Sequence, residues 1–244
     1  SPAIHEEKAM KTIGIIGGMS PESTVLYYQI INRSVNARLG GNHSADIVMH
    51  SVDFERIVAL QKAGDWAAAG AILADSARRL AACGAEVLVL ATNTMHKVAP
   101  AIEAAVSIPL LHVVDATAAA IRAQGLDTVA LLGTRFTMSD GFYRERMQRL
   151  GIATLVPTPE EQDAVHRIIF DELCLGHIES RSKTRYLDII AGLQAQGAQG
   201  VILGCTEIGL LLQAEDCVLP LFDSAEIHAL SAVEFALSGV SPAA

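Results

Sequence analysis

Eight short apolar runs punctuate the chain, at 12–16, 46–50, 86–90, 109–113, 128–132, 152–156, 200–203 and 218–222. Runs of four or five residues are too short for helices and have the length of strands buried on both faces, as in a parallel sheet. Between them lie alanine-rich stretches, such as 66–82 and 184–196, long enough to cross back over a sheet. Strand and helix alternating in this way predict βα units and an α/β fold with mainly parallel sheets. A last helix is expected at 224–237.

The pattern contains an internal repeat. Shifting GAEVLVLAT (84–92) by 113 positions lays it without a gap on GAQGVILGC (197–205), so that Thr92 falls on Cys205. Upstream in the same register Asp75 meets Asp188 and Leu80 meets Leu193. A shift of 116 pairs TIGIIG (12–17) with TVALLG (128–133) and Tyr27 with Tyr143, and IPLL (108–111) lies beside LPLF (219–222). One such match is weak, because apolar strands resemble one another; three in the same order imply a duplication. Two Rossmann-like α/β halves with four-stranded sheets are therefore expected, facing across a central cleft. The first is 11–115 plus 224–240, the second 116–223, and 1–10 is a disordered lead without the apolar core of a secretion signal.

Composition removes several classes of function. With 51% hydrophobic residues in 244, the chain can bury a large core, which excludes a disordered protein. No apolar stretch approaches the roughly 20 residues that span a bilayer, so no membrane association is expected. A net charge of −9 without a basic run argues against nucleic acid. Cys83, Cys174, Cys205 and Cys217 show neither CxxC pairing nor zinc-type spacing with the eight histidines. Free thiols, a cytoplasmic setting and no bound metal follow as expectations.

In open parallel sheets ligands bind at the carboxyl ends of the strands. The segments there are GGMSPE (17–22), ATNT (91–94), GTRFT (133–137) and GCTE (204–207). Helix N-termini at these turns offer N–H groups to carboxylates. Equally, Gly17 and Gly18 serve close packing, and Ser20, Thr94 and Thr206 serve as caps, with Pro21 suited to a first helical position. GIIGGM lacks GxGxxG spacing and no P-loop occurs, so nucleotide phosphates are not expected. Cys205 follows a strand and opens a helix, a place that lowers a thiol pKa from its reference of about 8.5. Cys83 and Cys174, on predicted helices, and Cys217, ahead of a strand, read as small core residues.

The segments IGIIGGMSPEST (13–24), HSVDF (50–54), TNTMHK (92–97), ALLGTRFTM (130–138), IIFDELCLG (168–176), GVILGCTEIGLL (200–211) and LPLFDSAEIHA (219–229) together resemble the aspartate/glutamate racemases, in particular a branch with Thr at the first catalytic position. The resemblance spans nearly the whole chain from Lys11. It implies racemisation of aspartate or glutamate without pyridoxal phosphate or any other cofactor, by one residue that removes the α-proton and another that delivers a proton to the opposite face. Most members use two cysteines; here Thr92 stands at the first position and Cys205 at the second. In related racemases the second cysteine acts on the L-enantiomer, so L-to-D conversion is expected to be favoured. The resemblance also implies a homodimer.

Charge that develops on the substrate carboxylate during proton removal needs preformed donors. Asn93, Thr94 and Thr206 are the candidates, with Thr134 in the matching turn. Met19, by its turn, and Gln61, by resemblance, are further substrate contacts; Gln61 reads equally as a solvated residue at a helix start. Arg135 pairs either with a substrate carboxylate or with an outward acid. His96 and His166 are either core or site histidines. Two other functions use the same residues: decarboxylation of a substituted malonate through a carbanion, and non-catalytic binding of an acidic amino acid.

Overall fold

The computed structural model describes residues 9–238; most of the expected lead, residues 1–8, lies outside them. The chain divides into two compact units, Ser1–His112 with His228–Ala244, and Val113–Ile227.

In the first unit the strands are β1 (Ile13–Gly17), β2 (Ile47–Ser51), β3 (Val87–Leu90) and β4 (Leu110–Leu111). They form one parallel sheet in the order β2-β1-β3-β4. In the second, β5 (Thr128–Leu132), β6 (Ala153–Leu155), β7 (Val201–Leu203) and β8 (Leu221–Asp223) form a parallel sheet in the order β6-β5-β7-β8. The two orders are the same, as the repeat requires. In each the chain leaves the central strand first to one side and then to the other, so the crevice between β1 and β3, or between β5 and β7, is the switch point where α/β sheets bind ligands.

All eight strands fall on the apolar runs. The run at 109–113 ends early, because Val113 already begins helix α5 (Val113–Ala123), and Val218 stands 91% exposed ahead of β8. Alternation places each sheet between two apolar layers. Ala130 and Leu132 of β5, with Val201 and Leu203 of β7, pack against α8 (Pro159–Asp171) and α9 (Ser180–Ala195) through Val165, Ile169 and Ile190. Val129, Leu131 and Ile202 face the opposite way, onto α5 and α7 (Phe142–Arg149) through Val114, Ile121 and Met147. Each such buried Leu, Ile or Val contributes roughly 1.5–3 kcal/mol. In the first unit Leu88 and Leu90 pack with Leu73 and Ala77 of α3 (Trp66–Ala82). Helix α11 (Ser224–Ala236) supplies the buried Ala229, Ala232 and Val233.

Two of the expected core cysteines are on the surface. Cys83 lies one residue past α3, beyond its last inward position, Leu80. Cys174 sits in the 3-10 turn Leu173–Leu175, where Leu173 takes the inward place. Cys217 is partly buried against the apolar layer of α9.

Candidate active site

Helix α1 (Pro21–Leu39) starts after β1 with Ser20 as cap, its hydroxyl accepting the Ser23 N–H, and Pro21 in the first turn. Gly18 has φ +96°, and a Cβ there would lie 2.4 Å from the Val52 carbonyl oxygen. Only glycine turns the chain so close to the end of β2. Met19 is 4% exposed, within the apolar cluster of Ile16, Leu90 and Met95. Gln61 donates through Nε2 to Met95 Sδ at 3.0 Å. It lies in the last turn of α2 (Phe54–Ala63), which corrects its reading as a helix-start residue.

After β3 the Ala91 N–H continues the ladder onto the Ile16 carbonyl, and the Thr92 N–H folds back to the Leu90 carbonyl at 2.8 Å. Thr92 is thereby set at the edge of the switch crevice, half-buried. Asn93 is 9% exposed, and Thr94 opens a 3-10 turn, Thr94–Val98. His96, in that turn, is 2% exposed, with Nδ1 2.7 Å from the Thr92 carbonyl oxygen. It is a core histidine.

The turn after β7 occupies the same place in the second sheet. Gly204 donates to the Leu132 carbonyl at 2.7 Å. A Cβ on Gly204 would come within 2.9 Å of that oxygen, so the approach of β7 to β5 ahead of Cys205 depends on glycine. Cys205 is partly buried, and its Sγ donates to Glu207 Oε2 at 2.7 Å; the Thr206 hydroxyl donates to the same oxygen at 2.9 Å. The thiol pKa is pushed well above its ordinary value, first by burial and then by the Glu207 carboxylate. This reverses the expected lowering. The helix that follows, α10 (Ile208–Leu211), is one turn long. The Glu207 backbone N–H does pull the pKa down, but burial and the adjacent carboxylate outweigh it. The resting group is a thiol hydrogen-bonded to a carboxylate. Glu207 is the functional candidate that the motif GCTE contained but spacing alone did not single out.

Thr134 caps α6 (Arg135–Ser139), with Oγ1 3.3 Å from the Thr137 hydroxyl. Arg135 pairs with Asp163 at 2.5 Å, the outward of its two expected arrangements. Its backbone N–H donates to His166 Nδ1 at 3.0 Å. Burial, and then Arg135, lowers the His166 pKa, so the ring stays an acceptor that holds the start of α6. Second-unit residues Leu203, Gly209, Leu212, Gln213, Asp223 and Glu226 line part of a cavity of about 410 Å³ whose walls include none of the residues singled out above. Among the described residues, no three His, Cys, Asp or Glu are placed to hold a metal ion, and no helix is long and apolar enough to cross a membrane.

Two like-ordered parallel sheets, with Thr92 and Cys205 at the same strand end in each, can be compared with known proteins. The model of the family described as Asp/Glu/Hydantoin racemase matches residues 16–232. The chain belongs to that family. Membership makes its activity that of an amino-acid racemase, an isomerase. A candidate Asp/Glu racemase from Yersinia pestis is 53% identical to this racemase, with a TM-score of 0.91 over 93% of this chain and 100% of that one. An aspartate racemase homologue from Pyrococcus horikoshii OT3 is 35% identical, with a TM-score of 0.85 over 93% and 99%. The broad specificity amino-acid racemase RacX of Bacillus subtilis is 25% identical over 91% of this chain and 96% of its own.

Proposed function

We propose that this racemase interconverts L- and D-aspartate or glutamate without an organic cofactor, with Cys205 as the base for the L-enantiomer and Thr92 serving the opposite face of the α-carbon. The observation that carries the reading is the Cys205–Glu207 pair at the strand end equivalent to Thr92. Glu207 takes the thiol proton, leaving Cys205 as thiolate; the thiolate takes the α-proton, and the electron pair passes into the adjacent carboxylate. Thr92 gives its hydroxyl proton to the other face and regains one from water. Asn93, Thr94 and Thr206 are the proposed donors to the substrate carboxylate, and Met19, Gln61 and Thr134 the proposed contacts around it.

An aliphatic hydroxyl is a far poorer base than a thiolate, so the preference for the L-enantiomer shows as faster α-proton exchange from L than from D, while the two enantiomers remain equal at equilibrium. The expected setting is the cytoplasm and the expected assembly a homodimer. Chiral analysis of pure L-aspartate and L-glutamate incubated with the enzyme, no cofactor added, tests the assignment. Appearance of the D-enantiomer of either supports it. Unchanged chirality of both, alongside carbon dioxide release from a substituted malonate, would replace it with the decarboxylase reading.

A further inference from the structure

Three imidazoles, all at most 5% exposed, are packed together in the first unit at the carboxyl end of its sheet: His96, His112 and His228. The His96 ring lies 4.6 Å from that of His112 and 5.4 Å from that of His228, centroid to centroid. Each of the two outer contacts has a chemical direction. A carbonyl oxygen can only accept, so the 2.6 Å contact of His228 Nε2 with the Leu111 carbonyl puts a proton on Nε2. In the neutral ring Nδ1 is then an acceptor, and the Tyr27 hydroxyl donates to it at 2.8 Å. By the same logic the 2.7 Å contact of His96 Nδ1 with the Thr92 carbonyl puts the His96 proton on Nδ1. Burial lowers the pKa of both rings, that of His228 to about 4, and the neighbouring imidazoles lower His96 further. Hydrogen bonds to the Thr92 and Asn93 backbone offset this only in part for His96, and both rings stay neutral in ordinary buffer.

The second unit shows that this cluster is not demanded by the fold. The repeat places Gly209 at the position of His96, Asp223 at that of His112 and Thr117 at that of His228. There the Cys205 carbonyl accepts from the Ile208 backbone N–H at 3.3 Å, a contact that needs no particular side chain. The first unit spends three buried polar rings, each costly to bury, where the second manages with backbone.

We propose that His96 is the positioning residue for Thr92: its Nδ1–H holds the Thr92 carbonyl while the Leu90 carbonyl holds the Thr92 N–H, so the peptide groups on both sides of the reacting residue are fixed and only its side-chain torsion is left to set. The role of His96 rests on the reading of Thr92 as a proton carrier. His112 and His228 keep the ring upright, with His228 anchored between α1 and the end of β4. A weak proton carrier such as an alcohol depends heavily on placement, and a misplacement of about 1 Å is enough to cost on the order of a hundredfold in rate.

Substitutions at His96 separate placement from packing. The amide nitrogen of Asn overlays Nδ1 of His, whereas that of Gln overlays Nε2. In His96→Gln and His96→Leu, kcat for racemisation should fall roughly ten- to a hundredfold with a smaller change in KM. His96→Asn should recover to within a few-fold of the parent, although it fills the site less well than Leu. Rates that follow side-chain volume, with Leu or Gln above Asn, or rates unchanged in all three, would overturn the proposal. Nitrogen-15 NMR of the unsubstituted protein reads the same contact without activity: His96 should carry its proton on Nδ1 with a coupling across to the Thr92 carbonyl, and an unprotonated Nδ1 would refute it. An enzyme inert toward every amino acid would remove the racemase reading, while the NMR result would still decide whether His96 holds Thr92.

Discussion

The turns after β3 and β7 hold equivalent positions in two sheets of the same strand order, yet they are built for different chemistry. After β7 a thiol donates to the carboxylate two residues on, Glu207; after β3 the corresponding pair is Thr92 and Thr94, two hydroxyls. The backbone support differs as well. Cys205 has its carbonyl held by the first N–H of a one-turn helix, and Thr92 has its carbonyl held by a buried imidazole. The repeat preserved the scaffold, while the side chain at this strand end, its neighbour two residues on and the support of its carbonyl all diverged. In the proposed mechanism the strong base belongs to one half and careful placement to the other.

The largest effect that could break this comparison is loss of the thiol. Cys205→Ala should lower α-proton exchange from L-aspartate or L-glutamate by about 10³-fold, with the melting temperature nearly unchanged; exchange retained within a few-fold of the parent would remove Cys205 from the mechanism. Glu207→Gln comes next, with a fall in kcat of roughly ten- to a hundredfold. Because the carboxylate raises the thiol pKa, its neutralisation should also let thiolate appear at lower pH. Parent activity from the L-enantiomer should rise as pH climbs and the thiol ionises, and in the variant that rise should begin earlier. Thiolate absorbance and alkylation rate against pH check the shift, and an unmoved or upward-moved curve would show that Glu207 does not set the thiol.

Making the first turn resemble the second sharpens the comparison from the other side. Thr92→Cys should raise exchange from the D-enantiomer, and Thr92→Cys with Thr94→Glu should raise it further, about tenfold over the parent. Initial rates from pure D-substrates decide this; no gain in either variant would mean that more than the missing pair separates the halves. Smallest in consequence for chemistry is Gly204→Ala, which pushes a methyl group against the Leu132 carbonyl. It should destabilise the second unit by about 1–3 kcal/mol, read by denaturant unfolding.

The architecture was legible because it rests on burial: central strands such as β1 and β3, enclosed on both faces, are apolar throughout, and all eight runs became strands, the partly exposed β2 among them. The duplication was legible for the same reason, since Gly84–Thr92 and Gly197–Cys205 had to fill equivalent slots. What could not be read was set by short-range geometry. Whether Glu207 reaches the sulfur or turns to solvent depends on side-chain torsions, and with it the direction of the thiol pKa. The lengths of the helices that follow the turns matter too: a sequence that opens a helix at Ile208 does not reveal that it closes at Leu211. Cys83 and Cys174 were misread because a cysteine just past the end of a helix, or beside the inward residue of a short turn, looks in sequence like one that faces in. His96 was legible as a core histidine or a site residue, and its contact with the Thr92 carbonyl makes it a core residue that touches the candidate site.

One measurement meets the inequality of the two turns most directly: initial rates of α-proton exchange in deuterated water, from pure L- and pure D-enantiomers of aspartate and glutamate. Faster exchange from the L-enantiomer of the better substrate, at every pH tested, is the predicted result. Equal rates of α-proton exchange from L and D would contradict it, because a thiolate and an alcohol do not remove a proton alike.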